Sequence, residues 1–329
     1  MPKISLIMPV FNVGKYVLGA MQSVQNQDFK DFECICVNDG SADDSGTIMD
    51  DFCKTDKRFI PFHQENKGLS ATRNFALAKA KGDYIFFIDS DDYIHPQTLS
   101  FLYTMAHKNP DADIITSGYV KTPKIYGETV FEKLDPQKIK ADRSTDPLMS
   151  YIRGKKIKTQ VWGELYKKEL FKTLGFIEGI YFEDVPFTTM VMEKAKKIVI
   201  TDAPLYYYFQ TDSSIMRSNF TVKKAASYFL LIEEITGYIH MNRPAAFPVV
   251  QKEVLNARVK MVLNQAIKKQ RDKAKRQELF DYIRGEVIRL YNQGIISYQG
   301  LKIYHKVALF LLLHSRTGTP ARIWMQLIK

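Results

Sequence analysis

Two acidic groups stand where this sequence turns from apolar to polar. Asp89-Ser90-Asp91-Asp92 follows the run Tyr84-Ile85-Phe86-Phe87-Ile88, and Glu183-Asp184 opens the stretch Glu183-Asp184-Val185-Pro186-Phe187. A D-x-D at the end of a strand sets carboxylates side by side, where repulsion raises their proton affinity unless a cation intervenes. Magnesium and manganese suit such oxygens. They take one or two protein carboxylates while substrate phosphates complete the shell. Asp at the start of a helix is also ordinary N-terminal chemistry, so each group taken alone reads as a cap as readily as a site.

A further carboxylate, Asp39, lies in Val37-Asn38-Asp39-Gly40-Ser41, where it can accept hydrogen bonds from a nucleobase or ribose. Asn66 and Gly68 mark a loop, and Arg73 follows one to two turns into a helix. A cation there can meet a diphosphate, pair with the acidic cluster or form a surface ion pair. The residues alone leave the three open.

The elements that must position these groups alternate in type. Ile4–Met8, Phe32–Val37, Phe59–His63 and Tyr84–Ile88 are apolar, β-rich runs. Between them, Gly14–Asn26, a segment through Asp51 and Phe52 with Ser45 as its N-cap, and Leu69–Lys81 have helical spacing. Apolar strands alternating with helices predict a mostly parallel sheet covered on both faces. In such sheets ligands sit beyond the carboxyl ends of the strands, which is where Asn12, Asp39, Asn66 and Asp89–Asp92 fall. Downstream, Leu99–His107 predicts a helix and Asp113–Ser117 a strand, and residues 120–147 an irregular excursion or a pair of edge strands. Leu148–Ile152 and Lys167–Leu174 read as helical, Ile198–Thr201 and Leu205–Phe209 as strands. After Phe220 amphipathic helices dominate, including Ala225–His240 and Gln251–Gln270.

With 329 residues, 45% hydrophobic and 25% charged, the chain can bury a large core. Its net charge of +11 is uneven: residues 1–100 carry 10 Lys/Arg against 14 Asp/Glu, residues 219–329 carry 19 against 7. The basic third could serve an anionic membrane, an anionic polymer or solubility; it contains no recognised nucleic-acid module, and no nucleic-acid partner is expected. Three cysteines make no disulfide framework, and one-residue spacing of Cys34 and Cys36 fits no zinc pattern. Neither a signal peptide nor an apolar run of about 18 residues is present, so a cytoplasmic protein is expected. The short run Tyr304–His314, with Lys302, Lys306, Arg316 and Arg322 around it, reads either as an in-plane anchor on the cytoplasmic membrane face or as a packing helix.

Taken together, Pro9-Val10-Phe11-Asn12, Val37-Asn38-Asp39-Gly40-Ser41, Asn66-Lys67-Gly68-Leu69-Ser70-Ala71-Thr72-Arg73-Asn74 and Gly82-Asp83-Tyr84-Ile85-Phe86-Phe87-Ile88-Asp89-Ser90-Asp91-Asp92 resemble, in order and spacing, the family 2 glycosyltransferases. Val161-Trp162-Gly163-Glu164-Leu165-Tyr166 is similar to that family's W-x-K-L-Y segment with Glu164 in place of a common Lys, and Glu183-Asp184-Val185-Pro186-Phe187 to its E-D-x-x-F motif. Tyr206-Tyr207-Tyr208-Phe209 resembles its Y-Y-x-R segment, with Phe209 where Arg is frequent; Arg217 or Lys223 would have to substitute.

The resemblance implies an A-type glycosyltransferase fold. It consists of one Rossmann-like nucleotide-sugar-binding domain over residues 1–218, with a nucleotide-binding half (1–100) and an acceptor-binding half (101–218), followed by a basic helical region over 219–329. It implies an inverting, metal-dependent transferase that moves a sugar, with a UDP-hexose or UDP-N-acetylhexosamine as the expected donor. The acceptor would be a hydroxyl of a glycan or lipid-linked glycan in cell-surface polysaccharide, capsule or lipopolysaccharide synthesis. Pro9, Phe11, Asn12, Asp39, Asn66, Arg73, Asp89 and Ser90 would bind the nucleotide sugar, and Asp91 would hold manganese or magnesium. Asp184 would be the general base with Glu183 in support, and residues 301–329 would offer the peripheral membrane contact. A sugar-nucleotide pyrophosphorylase is disfavoured, because Pro9-Val10-Phe11-Asn12-Val13-Gly14 is no glycine-rich phosphate loop, and a non-catalytic binding protein would have no need of Asp91 and Asp184 together.

Overall fold

The computed structural model describes residues 1–135, 139–154, 157, 159–210, 219–255, 259, 261–262, 265, 272–298, 306–307 and 310. The chain divides into two compact units, one comprising Met1–Gly179 with Glu183–Thr211, the other Ile180–Phe182 with Asp212–Lys329.

The first unit begins with strand–helix alternation. β1 (Ile4–Val10), α1 (Val17–Gln25), β2 (Phe32–Asp39), α2 (Ser45–Thr55), β3 (Phe59–Gln64), α3 (Leu69–Lys79) and β4 (Tyr84–Phe87) follow in order. β1 and β2 are buried at every residue, as interior strands of a two-faced parallel sheet must be, whereas in β3 only Phe59 is buried and the residues after it alternate between half-buried and exposed. That difference fits their places: β3 is the edge of an eight-stranded sheet, with β2, β1 and β4 inward of it, all parallel. Ile4, Leu6, Met8, Cys34, Cys36 and Phe86 pack with α1 residues Val17, Met21 and Val24 into one core. The three cysteines are free thiols.

Beyond β4 come β5 (Tyr93–Ile94), α4 (Thr98–Lys108), β6 (Ile114–Ile115), β7 (Gly118–Thr122), β8 (Ala141–Ser144), α5 (Pro147–Ile152), β9 (Leu165–Lys167), α6 (Asp184–Lys194), β10 (Ile198–Thr201) and β11 (Pro204–Phe209). The main sheet continues β4-β9-β6-β10-β8, with β9 antiparallel to both neighbours and β8 an antiparallel edge. A mostly parallel α/β sheet is therefore present, as expected. A second, three-stranded sheet, β5-β11-β7, places β11 beside the segment that follows β4.

Two local expectations are corrected. Lys167–Leu174 is not a helix: Leu165–Lys167 is strand β9, and Lys168–Lys172 makes a single 3-10 turn. β4 and β6 take Leu165–Lys167 as a strand between them, and the Lys168 amide donates to the Asp83 carbonyl, so the backbone is committed to the sheet where a helix would have to start. Ser45 is not an N-cap. It is the first helical residue of α2 and is buried, and its Oγ accepts from the Val13 amide at 2.8 Å and donates to Asp43.

In the second unit, α7 (Val222–Asn242) is capped by the Thr221 side chain accepting from the Lys224 amide, and a further helix spans Lys273–Asn292. Among the described residues no helix is long and apolar enough to cross a membrane. Most of 256–271 and of 301–329, including Lys302, Arg316 and Arg322, lies outside the described residues.

Candidate active site

The carboxyl ends of β1, β2 and β4 form one rim, and side-chain hydrogen bonds stitch it together. After β1, Asn12 adopts a left-handed conformation (φ 52). Its side-chain Oδ1 accepts from the Ala42 amide at 2.8 Å, and its backbone amide donates to Ser41 Oγ at 3.1 Å. Phe11 stands exposed, and the Pro9 carbonyl accepts from Ser90 Oγ at 2.7 Å. Ser90 is buried and clamps the acidic segment to β1.

Asp39, at the end of β2, is also buried. Its Oδ1 accepts from Gln64 Nε2 (2.7 Å) and the Lys67 amide (2.8 Å), and its Oδ2 from the Gly68 amide (2.9 Å). The carboxylate thus holds the loop carrying Asn66 against β2 and keeps spare acceptor capacity on Oδ2. Gly40 makes this closure feasible: at φ 70, a Cβ would meet the Asn66 nitrogen at 2.8 Å.

Arg73 projects from α3 and is 2% exposed. Its Nη2 donates to Asp89 at 2.8 Å and its Nη1 to Glu183 at 2.7 Å. Burial works against the guanidinium charge, but Asp89, Glu183 and the nearby Asp184 outweigh it and raise its pKa. Of the three readings open for Arg73, a surface ion pair is excluded and pairing with the acidic cluster is found. Its Nε and Ser70 Oγ one turn earlier are buried without a hydrogen-bond partner among the described residues. Groups of that kind are expected where a ligand or water completes a site.

Glu183 and Asp184 sit at the start of α6. Glu183 occupies the cap position but makes no side-chain cap hydrogen bond. Its carboxylate goes to Arg73 instead, so it is no ordinary cap. Residues 110 apart in sequence are thereby joined, and the Asp89–Arg73–Glu183 chain places the acidic cluster after β4 and the helix bearing Asp184 around one buried cation.

Within the cluster each carboxylate has a different environment. Asp89 is neutralised by Arg73. Asp92 accepts from Tyr206 Oη at 2.7 Å and from the Phe209 amide at 2.8 Å, and the Asp89 amide donates to the same Tyr206 Oη at 3.1 Å. Burial, with the charges of Asp91 and Asp89, pushes Asp92 well above the usual carboxylate range. Asp91 is pushed up to about 7, by burial first and then by the charge of Asp89. It lines a cavity of about 190 Å³ with Lys15, Tyr16, Tyr126 and Phe209. No group of three metal-ligating side chains occurs among the described residues.

Asp92, Tyr206 and Glu164 stand in motifs of the sequence that give them no role. Asp92 is marked by the extra carboxylate in the D-x-D-D run; the hydrogen-bond partners of Tyr206 lie more than 100 residues away and leave no local signal. Trp162 stacks on the Tyr206 ring at 4.1 Å. Glu164 is buried and pushed up to about 8 by burial, with Tyr166 Oη 2.7 Å from its Oε2. Phe209 packs its ring on Tyr16 at 5.0 Å. Arg217 lies outside the described residues and Lys223 belongs to the second unit, so neither replacement for an arginine at 209 is placed.

The family described as glycosyl transferase family 2 matches residues 5–167. The chain is 33% identical over 217 residues to glycosyltransferase EpsJ of Bacillus subtilis, covering 65% of this chain and 63% of that protein. It is 32% identical over 228 residues to glycosyltransferase GlyG of Streptococcus pneumoniae, covering 68% of this chain and 75% of that protein. The structure of Staphylococcus aureus TarS 1-349 in complex with UDP-GlcNAc has the same fold, with a TM-score of 0.73 at 20% identity over 98% of this chain and 90% of that one. The chain belongs to glycosyltransferase family 2.

Proposed function

We propose that the protein transfers a sugar from a nucleoside diphosphate donor to an acceptor hydroxyl, with inversion at the anomeric carbon. The observation that carries this reading is the Asp89–Arg73–Glu183 chain, which brings the acidic strand end and the helix start bearing Asp184 to one cation. A single displacement needs a carboxylate beside the acceptor hydroxyl and charge stabilisation at the departing diphosphate on the opposite face. Asp184 fills the first role by accepting the acceptor's proton. For the second, Asp91 is the carboxylate free to ligate, since Asp89 is committed to Arg73 and Asp92 to Tyr206 and Phe209. A carboxyl held at about 7 by burial and a neighbouring anion is one that a divalent cation would relieve. Bound there, manganese or magnesium would stabilise charge on the leaving phosphate.

The nucleotide would lie along the rim formed by Pro9, Phe11, Asn12 and the loop carrying Asn66. Asp39 acts there chiefly by fixing that loop and offers its remaining Oδ2 capacity to the base or ribose. Exposed Phe11 and the unpartnered donors Arg73 Nε and Ser70 Oγ mark the approach. UDP as the carrier agrees with the UDP-GlcNAc complex of TarS, and a glycan or lipid-linked glycan as acceptor agrees with a role in cell-surface polysaccharide synthesis. The test is Asp184→Asn. UDP affinity, measured by calorimetry with manganese present, should stay within about twofold while sugar transfer falls by about 10²–10⁴. Transfer at the normal rate would remove Asp184 as the base.

A further inference from the structure

A cavity of about 910 Å³ opens at the amino ends of β1 and β4, and every residue lining it belongs to the first unit. Lys3 precedes β1 and Gly82-Asp83 precede β4, whereas Asp39 and Asp89 stand at the carboxyl ends of β2 and β4. The cavity and the rim are therefore about one strand length apart, roughly 20 Å for the seven residues of β1.

Five lysines line the cavity, Lys3, Lys81, Lys167, Lys168 and Lys172, against two carboxylates, Asp83 and Glu169. They come from before β1, from the end of α3 and from the 3-10 turn after β9, so the fold and not a basic run assembles them. Composition runs the other way, since residues 1–100 carry 10 Lys/Arg against 14 Asp/Glu. Two of the five serve helix ends: Lys168 Nζ donates to the Ala80 carbonyl after α3 at 2.6 Å, and Lys167 Nζ to the Pro110 carbonyl past α4 at 2.7 Å. Lys3 pairs with Asp83 and Lys172 with Glu169, both in exposed pairs of the kind that contribute little. The Lys81 ammonium has no partner among the described residues. Each ammonium carries three donors, so Lys3, Lys81 and Lys172 keep the capacity to hold an anion.

The same cavity has aromatic walls. Tyr84, Tyr103 and His107 line it. Tyr103 and His107, one turn apart on α4, stack at 5.5 Å with 22° between planes, and Tyr84 meets Tyr103 edge-on at 6.0 Å. Aromatic faces carry a negative quadrupole that attracts the electropositive C–H face of a sugar ring, and ammonium groups bond carboxylate and phosphate oxygens. The volume falls within the roughly 300–1,000 Å³ of ligand pockets.

We propose that this cavity binds an acidic glycan, one whose sugars carry carboxylate or phosphate. Lys3, Lys81 and Lys172 hold the anionic groups, and Tyr103 and His107 pack against the rings. None of these residues belongs to the rim that carries Asp89 and Asp91, so the binding is independent of the proposed transfer. Where the same glycan is also the acceptor, holding it one strand length from the rim raises the effective concentration of its free end there; that consequence alone rests on the proposed transfer.

The test is calorimetry on the full chain with an oligogalacturonate, which carries carboxylates, a phosphomannan fragment, which carries phosphates, and neutral maltohexaose. At least one acidic glycan should bind about tenfold more tightly than maltohexaose, and the better of the two identifies the anion. The double variant Lys81→Glu/Lys172→Glu changes exposed side chains only. It should weaken acidic-glycan binding by about tenfold and leave UDP affinity within about twofold. Tyr103→Leu keeps the charges and should weaken the same binding by about threefold. Unchanged acidic-glycan affinity in the double variant would place the contact elsewhere, such as on the basic residues 219–329, and overturn the proposal. Unchanged affinity in Tyr103→Leu, or maltohexaose binding as tightly as the acids, would overturn it as well. A single-stranded DNA oligonucleotide that binds more tightly than either acidic glycan, and loses that affinity in the double variant, would assign the cavity to nucleic acid instead.

Discussion

Replacing Glu164 by Gln should make the protein less sensitive to alkali, by an amount that follows from burial. Glu164 is fully enclosed, and its ordinary pKa of 4.5 is pushed up to about 8 by loss of solvation, against the opposing hydrogen bond from Tyr166. Hydrogen-bond accounting agrees. Tyr166 Oη lies 2.7 Å from Glu164 Oε2 and 3.2 Å from the Val161 carbonyl, and one hydroxyl proton cannot serve both acceptors fully. A neutral Glu164 donates to Tyr166 Oη and frees the Tyr166 proton for Val161. Because the folded pKa is the higher one, the stability that protonation confers is complete below pH 4.5 and lost as pH rises through 8. Between pH 5 and pH 8 the loss amounts to about 4 kcal/mol, at about 1.4 kcal/mol per pH unit. A glutamine side chain at this position donates to the same hydroxyl and does not titrate. The gap between the urea midpoints of Glu164→Gln and wild type should therefore widen by about 2 M from pH 5 to pH 8, for a slope of about 2 kcal/mol per M. Comparing the two proteins cancels every other titrating group. A gap independent of pH would refute the reasoning.

Asp91→Asn should abolish manganese-dependent tightening of UDP binding in calorimetry while leaving metal-free affinity within about twofold. Arg73→Ala strands Asp89 and Glu183 in a buried site and should lower stability by about 3–5 kcal/mol in urea melts, with transfer lost as well; Arg73→Lys cannot reach both carboxylates with planar geometry and should recover stability only in part. Gly40→Ala forces a Cβ onto the Asn66 nitrogen at φ 70, so UDP affinity should fall through displacement of the loop held by Asp39. Ser90→Ala removes the bond to the Pro9 carbonyl and should cost about 1 kcal/mol, read as a shifted urea midpoint.

The strand ends were legible because β1, β2 and β4 are continuous apolar runs closed by Asn or Asp, a pattern that depends on local sequence. Which bond each polar residue makes was not. Asp39 reads as an acceptor for a nucleobase or ribose, but nothing local shows that it also holds the Lys67 and Gly68 amides, 28 and 29 residues on. Ser90 reads as a ligand contact, and nothing local shows that its hydroxyl also serves a carbonyl 81 residues back. β9 escaped because three residues are too few to show a period, and its partners lie on β4 and β6. The link between Arg73 and Glu183 could be guessed only as a charge without a neighbour, since no local pattern connects residues so far apart.

The place of β9 bears on biosynthesis. β4 is in the chain by residue 87, but the strand that covers its free side starts at Leu165. Until the ribosome has added those residues, Tyr84-Ile85-Phe86-Phe87 presents unpaired backbone amides and carbonyls along an apolar margin, the usual template for pairing with another nascent copy. Any product that stops short of Leu165 keeps that margin open. Truncations ending between β4 and β9 should therefore accumulate as insoluble material, while one that retains the first unit through β11 should remain in solution.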